Sequence, residues 1–135
     1  MTKEELIRCA EKAMQRAYAP YSCCFVGAAL LAENGRVYLG CNLENAAFGS
    51  TICAERAAIA SAVSDGQRRF SAIAIAGGKN GKIGAPFVPC GVCRQVLREF
   101  CGDDFPVYVA CENRKILSYT LGALLPESFG GEHVK

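Results

Sequence analysis

The spacing of apolar residues predicts that helices and strands alternate along this chain. The first segment is helical, because Thr2 and Glu5 form a capping box and apolar residues then recur every three or four positions until Pro20 ends the helix. Helical spacing returns in three later segments, which lie at about residues 53–64, 90–100 and 121–125. The last of these is long enough for only one turn.

Five short apolar segments predict β-strands, at residues 25–31, 37–41, 70–76, 106–111 and 116–119. Asn34-Gly35 between the first two is a strong hairpin signal. Only four residues join the last two strands, which is too few for a parallel crossover, so this pair should be antiparallel. The glycine-rich residues 77–84 predict a surface loop. The order of elements predicts an α/β fold with a mixed five-stranded sheet and helices on both faces.

The composition favours one globular domain over residues 1–135. Hydrophobic residues make up 51% of the chain and charged residues 21%, which excludes a disordered protein. The net charge is +2, and no basic run exceeds a pair, so we expect no nucleic-acid partner. No apolar run approaches the roughly 20 residues that span a bilayer. The polar start of the chain is unlike a signal peptide, so we expect a cytoplasmic protein with no membrane partner.

The nine cysteines are read as reduced thiols, and three of them have the spacing of metal ligands. Cys53 lies in the segment Cys53-Ala54-Glu55-Arg56, whereas Cys90 and Cys93 lie in Pro89-Cys90-Gly91-Val92-Cys93. Three thiolates can hold one tetrahedral zinc and leave its fourth position open, which distinguishes a catalytic zinc from a structural one. Both groups fall at predicted helix starts, where Cys90 and Cys93 share a face and the helix dipole favours thiolates.

Two charged neighbours of Cys53 complete this candidate site. We expect Cys53 at the very start of its helix, with Glu55 turned inward across the metal. A carboxylate beside a zinc-bound water is the minimum equipment for metal-assisted hydrolysis. Three thiolates leave the zinc site with a net charge of −1, and Arg56 could supply compensating charge and hydrogen bonds to the sulfurs.

Two other interpretations of the cysteines are available. Cys90 and Cys93 could form a redox pair at a helix start, as in thioredoxin-like proteins. Alternatively, Cys41 could be the fourth ligand of a closed structural zinc. The first interpretation ignores Cys53, and both leave Glu55 without a role.

The chain resembles the small homotetrameric zinc-dependent cytidine deaminases. The two cysteine segments, at residues 53–56 and 89–95, carry the resemblance. It continues in four further segments: Tyr18-Ala19-Pro20-Tyr21-Ser22, Val26-Gly27-Ala28-Ala29-Leu30, Gly40-Cys41-Asn42-Leu43-Glu44-Asn45-Ala46 and Leu124-Leu125-Pro126-Glu127-Ser128-Phe129-Gly130. The resemblance covers nearly the whole chain.

This resemblance implies a fold, an activity and an assembly. The fold would be a three-layer α/β/α sandwich around the mixed sheet, with one zinc per chain. The activity would be hydrolytic deamination of cytidine or deoxycytidine to uridine or deoxyuridine plus ammonia, in pyrimidine salvage. The assembly would be a homotetramer whose sites are shared between subunits.

The resemblance also implies roles for individual residues. Zinc would be bound by Cys53, Cys90 and Cys93, and Glu55 would move protons between the attacking water, the base and the departing amine. Implied substrate contacts are the backbone N–H of Ala54 with the base carbonyl, Asn42 and Glu44 with the ribose 3′-hydroxyl, and Phe48 and Phe129 with the pocket of a neighbouring subunit.

One segment departs from the family pattern. The family has a phenylalanine that packs against the cytosine at the position of Cys24, and here Phe25 comes one residue later. A one-residue shift in a strand sends a side chain to the opposite face, unless a β-bulge restores it. Because Val26-Gly27 keeps the family register, we expect Cys24 rather than Phe25 to face the base.

Two rival functions stay open from the sequence. One is deamination of a modified cytosine nucleoside, such as a blasticidin-type antibiotic. The other is a zinc-stabilised binding protein without catalysis. The segment Asn42-Leu43-Glu44-Asn45 favours an ordinary ribose over the modified nucleoside.

Overall fold

The computed structural model describes residues 1–135. Its helices and strands are, in chain order, α1 (Lys3–Met14), β1 (Cys24–Ala32), β2 (Val37–Cys41), α2 (Ala54–Ser64), β3 (Phe70–Lys79), α3 (Gly91–Phe100), β4 (Pro106–Ala110), β5 (Ile116–Thr120) and α4 (Leu121–Leu124). The strands form one sheet in the order β2-β1-β3-β4-β5, in which only the β3–β4 pair is parallel. None of the helices combines the length and apolar composition needed to cross a membrane.

Helices cover both faces of the sheet, so the predicted α/β fold with three layers is confirmed. On one face, α1 packs on small residues of β1, β3 and β4, mainly alanines. On the other face, α2 and α3 pack on larger side chains such as Leu30, Ile73 and Val107, all fully buried. The predicted antiparallel β4–β5 pair and the hairpin at Asn34-Gly35 are also present.

Helix α1 begins as predicted but ends sooner. The hydroxyl of Thr2 accepts a hydrogen bond from the backbone N–H of Glu5, and the carboxylate of Glu5 accepts one from Thr2, which completes the capping box. The helix ends at Met14 rather than continuing toward Pro20. The reason is tertiary: the backbone of Tyr18 pairs in extended form with the segment after β2.

Strand β3 is longer than the sequence indicates, and the loop predicted at residues 77–84 is wrong in its first part. Gly77 and Gly78 are buried strand residues that pair with β1. Neither has a positive φ. Their lack of a side chain instead admits close neighbours, since a Cβ on Gly78 would fall 1.8 Å from the carbonyl oxygen of Lys82. These glycines therefore serve packing rather than a turn.

The topology brings the ends of two strands to one edge. Both β2 and β3 run antiparallel to β1, which lies between them, and they are therefore parallel to each other. Helix α2 follows β2 and helix α3 follows β3, both on the same face of the sheet. The N-termini of these two helices consequently lie at the same edge, which is where ligands bind in open α/β sheets.

Replacing Gly27 should destabilise the fold. A Cβ at this position would lie 2.1 Å from the carbonyl oxygen of Ala10 and 2.3 Å from the backbone nitrogen of Met14. Gly27→Ala must therefore push α1 off the sheet, and overpacking of this kind costs at least about 1–3 kcal/mol. Thermal unfolding should show a clearly lower midpoint for Gly27→Ala. In the control Gly102→Ala, where the new methyl meets no atom within 4 Å, the midpoint should stay near that of the unmodified protein; equal midpoints in all three proteins would contradict this packing.

Candidate metal centre

Three cysteine sulfurs lie close together at this sheet edge. The Sγ atoms of Cys53, Cys90 and Cys93 all lie within 4.8 Å of one another. Cys53 Sγ is 3.8 Å from Cys90 Sγ, and Cys90 Sγ is 3.5 Å from Cys93 Sγ. A tetrahedral zinc with Zn–S distances of about 2.3 Å separates two sulfurs by about 3.8 Å. The residues therefore fit a zinc ion with three sulfur ligands. Cys41 is not part of this cluster, so it cannot close the site as a fourth ligand.

The cysteines occupy the N-terminal ends of two helices. Cys53 is the N-cap of α2, Cys90 is the N-cap of α3, and Cys93 lies in the first turn of α3. Neither N-cap thiol is used to cap its helix, so both are free to bind a metal. The positive helix ends favour the thiolate form of these side chains.

Hydrogen bonds within the cluster shift the pKa values of two thiols in opposite directions. The pKa of Cys53 is lowered to about 5, because Cys93 and the neighbouring Arg56 hydrogen-bond to its thiolate. The pKa of Cys93 is raised by the same hydrogen bond to Cys53 and by burial. Hydrogen bonds to Cys53 thus favour its thiolate, which is the form that binds a metal cation.

Glu55 is buried beside the sulfurs. It is the second residue of α2, its side chain is only 4% exposed, and it lines the same cavity as Cys53 and Cys90. Burial raises the pKa of this carboxyl to about 7, and the negative charge of Cys53 adds to the effect. A buried carboxyl is rare unless it is paired or functional. Beside three thiols that fit a zinc ion, such a carboxyl is chemically able to accept and release a proton.

Arg56 turns its guanidinium toward the cluster. Its Nη2 donates to Cys53 Sγ at 3.5 Å and to the carbonyl oxygen of Thr51 at 3.4 Å. Its Nε is buried without a hydrogen-bond partner. The guanidinium has few other hydrogen bonds. Its positive charge lies against the sulfurs and offsets part of the negative charge of the thiolates.

A cavity of about 190 Å³ opens beside the cluster. Five of the residues identified from the sequence line it: Asn42, Cys53, Ala54, Glu55 and Cys90. Four others were missed: Val26, Thr51, Phe87 and Val88. A sequence signal existed for two of them, because Phe87 and Val88 stand between Pro86 and Pro89 directly before a metal ligand. Such a stiff segment keeps its side chains close to Cys90.

Asn42 and Glu44 hold the loop after β2 in place. Asn42 is buried, and its amide accepts a hydrogen bond from Val26 N at 2.9 Å and donates one to the carbonyl oxygen of Cys24 at 2.8 Å. Glu44 accepts hydrogen bonds from the backbone N–H groups of Tyr21 and Ser22 and from the Ser22 hydroxyl. The Ser22 hydrogen bonds hold the pKa of Glu44 below its usual value.

The strand register separates Cys24 from Phe25. In β1, Val26 lines the cavity, whereas Gly27 faces α1. Since side chains alternate along a strand, Cys24 shares the face of Val26, and Phe25 packs with the α1 cluster on the opposite face. Phe25 is thus directed away from the metal cluster. Cys24 stands on the correct face but outside the residues that line the cavity.

Phe48 and Phe129 lie outside the cavity and are open to solvent, at 72% and 58% exposure. Phe129 belongs to a C-terminal tail that α3 holds by side-chain hydrogen bonds. Gln95 donates to the carbonyl oxygen of Phe129 at 2.9 Å, and Arg98 donates to the Ser128 hydroxyl at 2.7 Å. Helix α3 therefore carries two of the three clustered thiols at its start and holds the Phe129 segment further along.

Comparison with known proteins leads to one family by sequence and by structure. A family model described as the cytidine and deoxycytidylate deaminase zinc-binding region matches residues 1–109. A cytidine deaminase of Sporosarcina psychrophila is 48% identical over 132 residues, which cover 98% of this chain and 94% of that protein. One from Halalkalibacterium halodurans is 43% identical, with 98% and 97% covered.

A solved structure agrees with these relatives. The crystal structure of a cytidine deaminase from Burkholderia pseudomallei matches with a TM-score of 0.88 at 42% identity, over 96% of this chain and 100% of that one. The sequence relatives, the shared fold and the three clustered thiols point the same way, and the chain belongs to the cytidine and deoxycytidylate deaminase zinc-binding family.

Proposed function

We propose that this protein is a zinc-dependent cytidine deaminase, which converts cytidine or deoxycytidine and water to uridine or deoxyuridine and ammonia. The observation that carries the proposal is the convergence of three thiols and a buried carboxyl on one cavity. A closed structural site would have no need for Glu55 in that cavity. No feature of the cavity favours a modified nucleoside or a purely binding function over this reaction.

Bound by the three thiolates, zinc would supply Lewis-acid activation of a water for attack on the C4 carbon of the base. The carboxylate of Glu55 would take one proton from that water and deliver it to N3. It would then carry the proton of the new hydroxyl to the amino nitrogen, so that ammonia leaves and the C4 carbonyl forms. General acid–base catalysis of this kind needs a carboxyl at hydrogen-bond distance from the reacting atoms, and Glu55 lines the cavity next to two ligands.

The substrate contacts follow the edge of the same cavity. Ala54 begins α2 and lines the cavity, and its backbone N–H would donate to the carbonyl oxygen of the base. Asn42 retains one N–H and one lone pair beyond its two hydrogen bonds to β1, which suit a ribose hydroxyl. Glu44 would contribute from the adjoining loop, and Cys24 would meet the nucleoside at the mouth of the cavity.

We also propose that the enzyme is a homotetramer with sites shared between subunits. Exposed aromatic and aliphatic side chains support this proposal, since large apolar patches on a protein surface mark interaction sites. Phe48 and Phe129 are two of these side chains. Four more line a surface groove: Tyr18, Leu39, Leu43 and Ile52. In this assembly Phe48 and Phe129 would close the cavity of a neighbouring subunit.

We propose a cellular role that suits this chemistry. The proposed setting is the cytoplasm, where thiol ligands remain reduced, and the proposed role is pyrimidine salvage. Residues 1–135 would act as one catalytic domain.

Cys90→Ala should remove the metal. Loss of one of three ligands lowers affinity for zinc, and because metal-binding free energy contributes to folding, the thermal midpoint should fall as well. Metal analysis of purified protein should give about one zinc per chain for the unmodified protein and well below that for Cys90→Ala. The control Cys9→Ala, on α1 across the sheet, should keep its zinc. Full zinc content in Cys90→Ala would exclude this ligand set.

Glu55→Gln should keep zinc and fold but lose at least about 100-fold in kcat, because glutamine can hydrogen-bond but cannot move protons. Uridine formation followed by absorbance measures the loss. The control Glu99→Gln changes an exposed carboxylate on α3 and should leave turnover unchanged. An active Glu55→Gln enzyme would refute the proton-transfer role.

Phe129→Ala should raise KM for cytidine if this side chain closes a neighbouring site. Mixed assemblies of Phe129→Ala and Glu55→Gln subunits should regain activity, because a site with an intact Glu55 can then receive Phe129 from the other subunit. The control Val134→Ala alters an even more exposed tail residue and should behave like the parent. A protein that is monomeric by light scattering and fully active in the cytidine assay would rule out the shared site.

A further inference from the structure

Phe87 lines the cavity beside the metal cluster, and its sequence context indicates no role for it there. It lies on the loop between β3 and α3, three residues before Cys90. It is the only aromatic residue among those that line the cavity beside the metal cluster. Its side chain is half-buried, so part of the ring remains available to a ligand.

The ring of Phe87 packs against the sheet at Gly77, which has no side chain. A Cβ on Gly77 would lie 3.2 Å from both Cβ and Cδ2 of Phe87, and 3.1 Å from Cγ2 of Val26. Gly77 pairs with Val26 across β1 and β3. Because Gly77 has no positive φ, backbone conformation does not require glycine here. The requirement is the close approach of the Phe87 ring to the sheet.

The other candidates for an aromatic contact face elsewhere. Phe25 packs toward α1 on the opposite face of the sheet, and Cys24 offers no ring. Phe48 and Phe129 lie outside the cavity of their own chain. A planar pyrimidine that enters this cavity toward the sulfurs and Glu55 therefore has Phe87 as its only aromatic neighbour from this chain.

We propose that Phe87 is the residue of this chain that packs against the pyrimidine base and so sets affinity for it. This inference rests on the proposed deaminase function and adds the residue that recognises the base. Aromatic rings stack on bases through contact of their π faces, and the contact tolerates different bases. Held by Gly77 and Val26, the ring is preorganised, which lowers the entropy cost of binding.

The test measures binding without turnover. In the zinc-loaded Glu55→Gln background, calorimetry with cytidine should give a Kd for Phe87→Leu about two- to tenfold above the parent, the range expected for loss of an aromatic contact. The matched control is Phe100→Leu, at the far end of α3, where Phe100 is half-buried against Phe70. Its Kd should equal that of the parent.

The outcomes separate this inference from the proposed function. Cytidine turnover by the unmodified enzyme tests the function and does not depend on Phe87. Given turnover, an unchanged Kd in Phe87→Leu, or an equal rise in Phe100→Leu, would overturn the role of Phe87. If Phe87→Leu loses its zinc, Gly77→Ala displaces the same ring without removing it. A raised Kd in Gly77→Ala with full zinc supports the inference, and an unchanged Kd overturns it.

Discussion

Two helices begin at the same edge of the sheet because the strands that precede them, β2 and β3, are parallel to each other. This arrangement brings Cys53 and Cys90, the N-caps of α2 and α3, to within 3.8 Å between their sulfurs. Neither helix alone holds three ligands. The metal centre therefore depends on the antiparallel strand β1, which lies between β2 and β3 and sets their common direction.

Electrostatics explains why these particular groups surround the cluster. Three thiolates and a carboxylate would place four negative charges near one another, and the low polarity around Glu55 makes this costly. A zinc ion, the guanidinium of Arg56 and the positive ends of two helices oppose that charge. The same balance links metal binding to folding, since without a cation the cluster keeps part of its thiols protonated.

Local patterns predicted most of the fold, because most elements follow from short-range rules. The capping box at Thr2, the hairpin at Asn34-Gly35 and the short β4–β5 connection each depend on residues close in sequence. Short-range rules do not predict the end of α1, because the pairing of Tyr18 with the segment after β2 determines it. The sequence predicts a loop at Gly77 and Gly78, because the close packing that requires these glycines involves residues distant in the sequence.

The candidate site likewise contains some residues that the sequence pattern indicates and one whose role only the structure suggests. The clustering of Cys53, Cys90 and Cys93 beside Glu55 could be predicted because metal chemistry restricts both residue type and spacing. The flanking Pro86 and Pro89 place Phe87 near Cys90, but an apolar residue in a loop carries no signal of its role, and only the approach of its ring to Gly77 shows how it is held. The directions of Cys24 and Phe25 followed from strand alternation, which requires only that the register of β1 be known.

X-ray absorption at the zinc edge tests the central claim most directly, because it counts the ligands of the metal in the intact protein. A catalytic site built on Cys53, Cys90 and Cys93 predicts three sulfur neighbours at about 2.3 Å and one lighter neighbour, oxygen or nitrogen, at about 2.0 Å. Four sulfur neighbours would mean a closed structural site and would contradict the account.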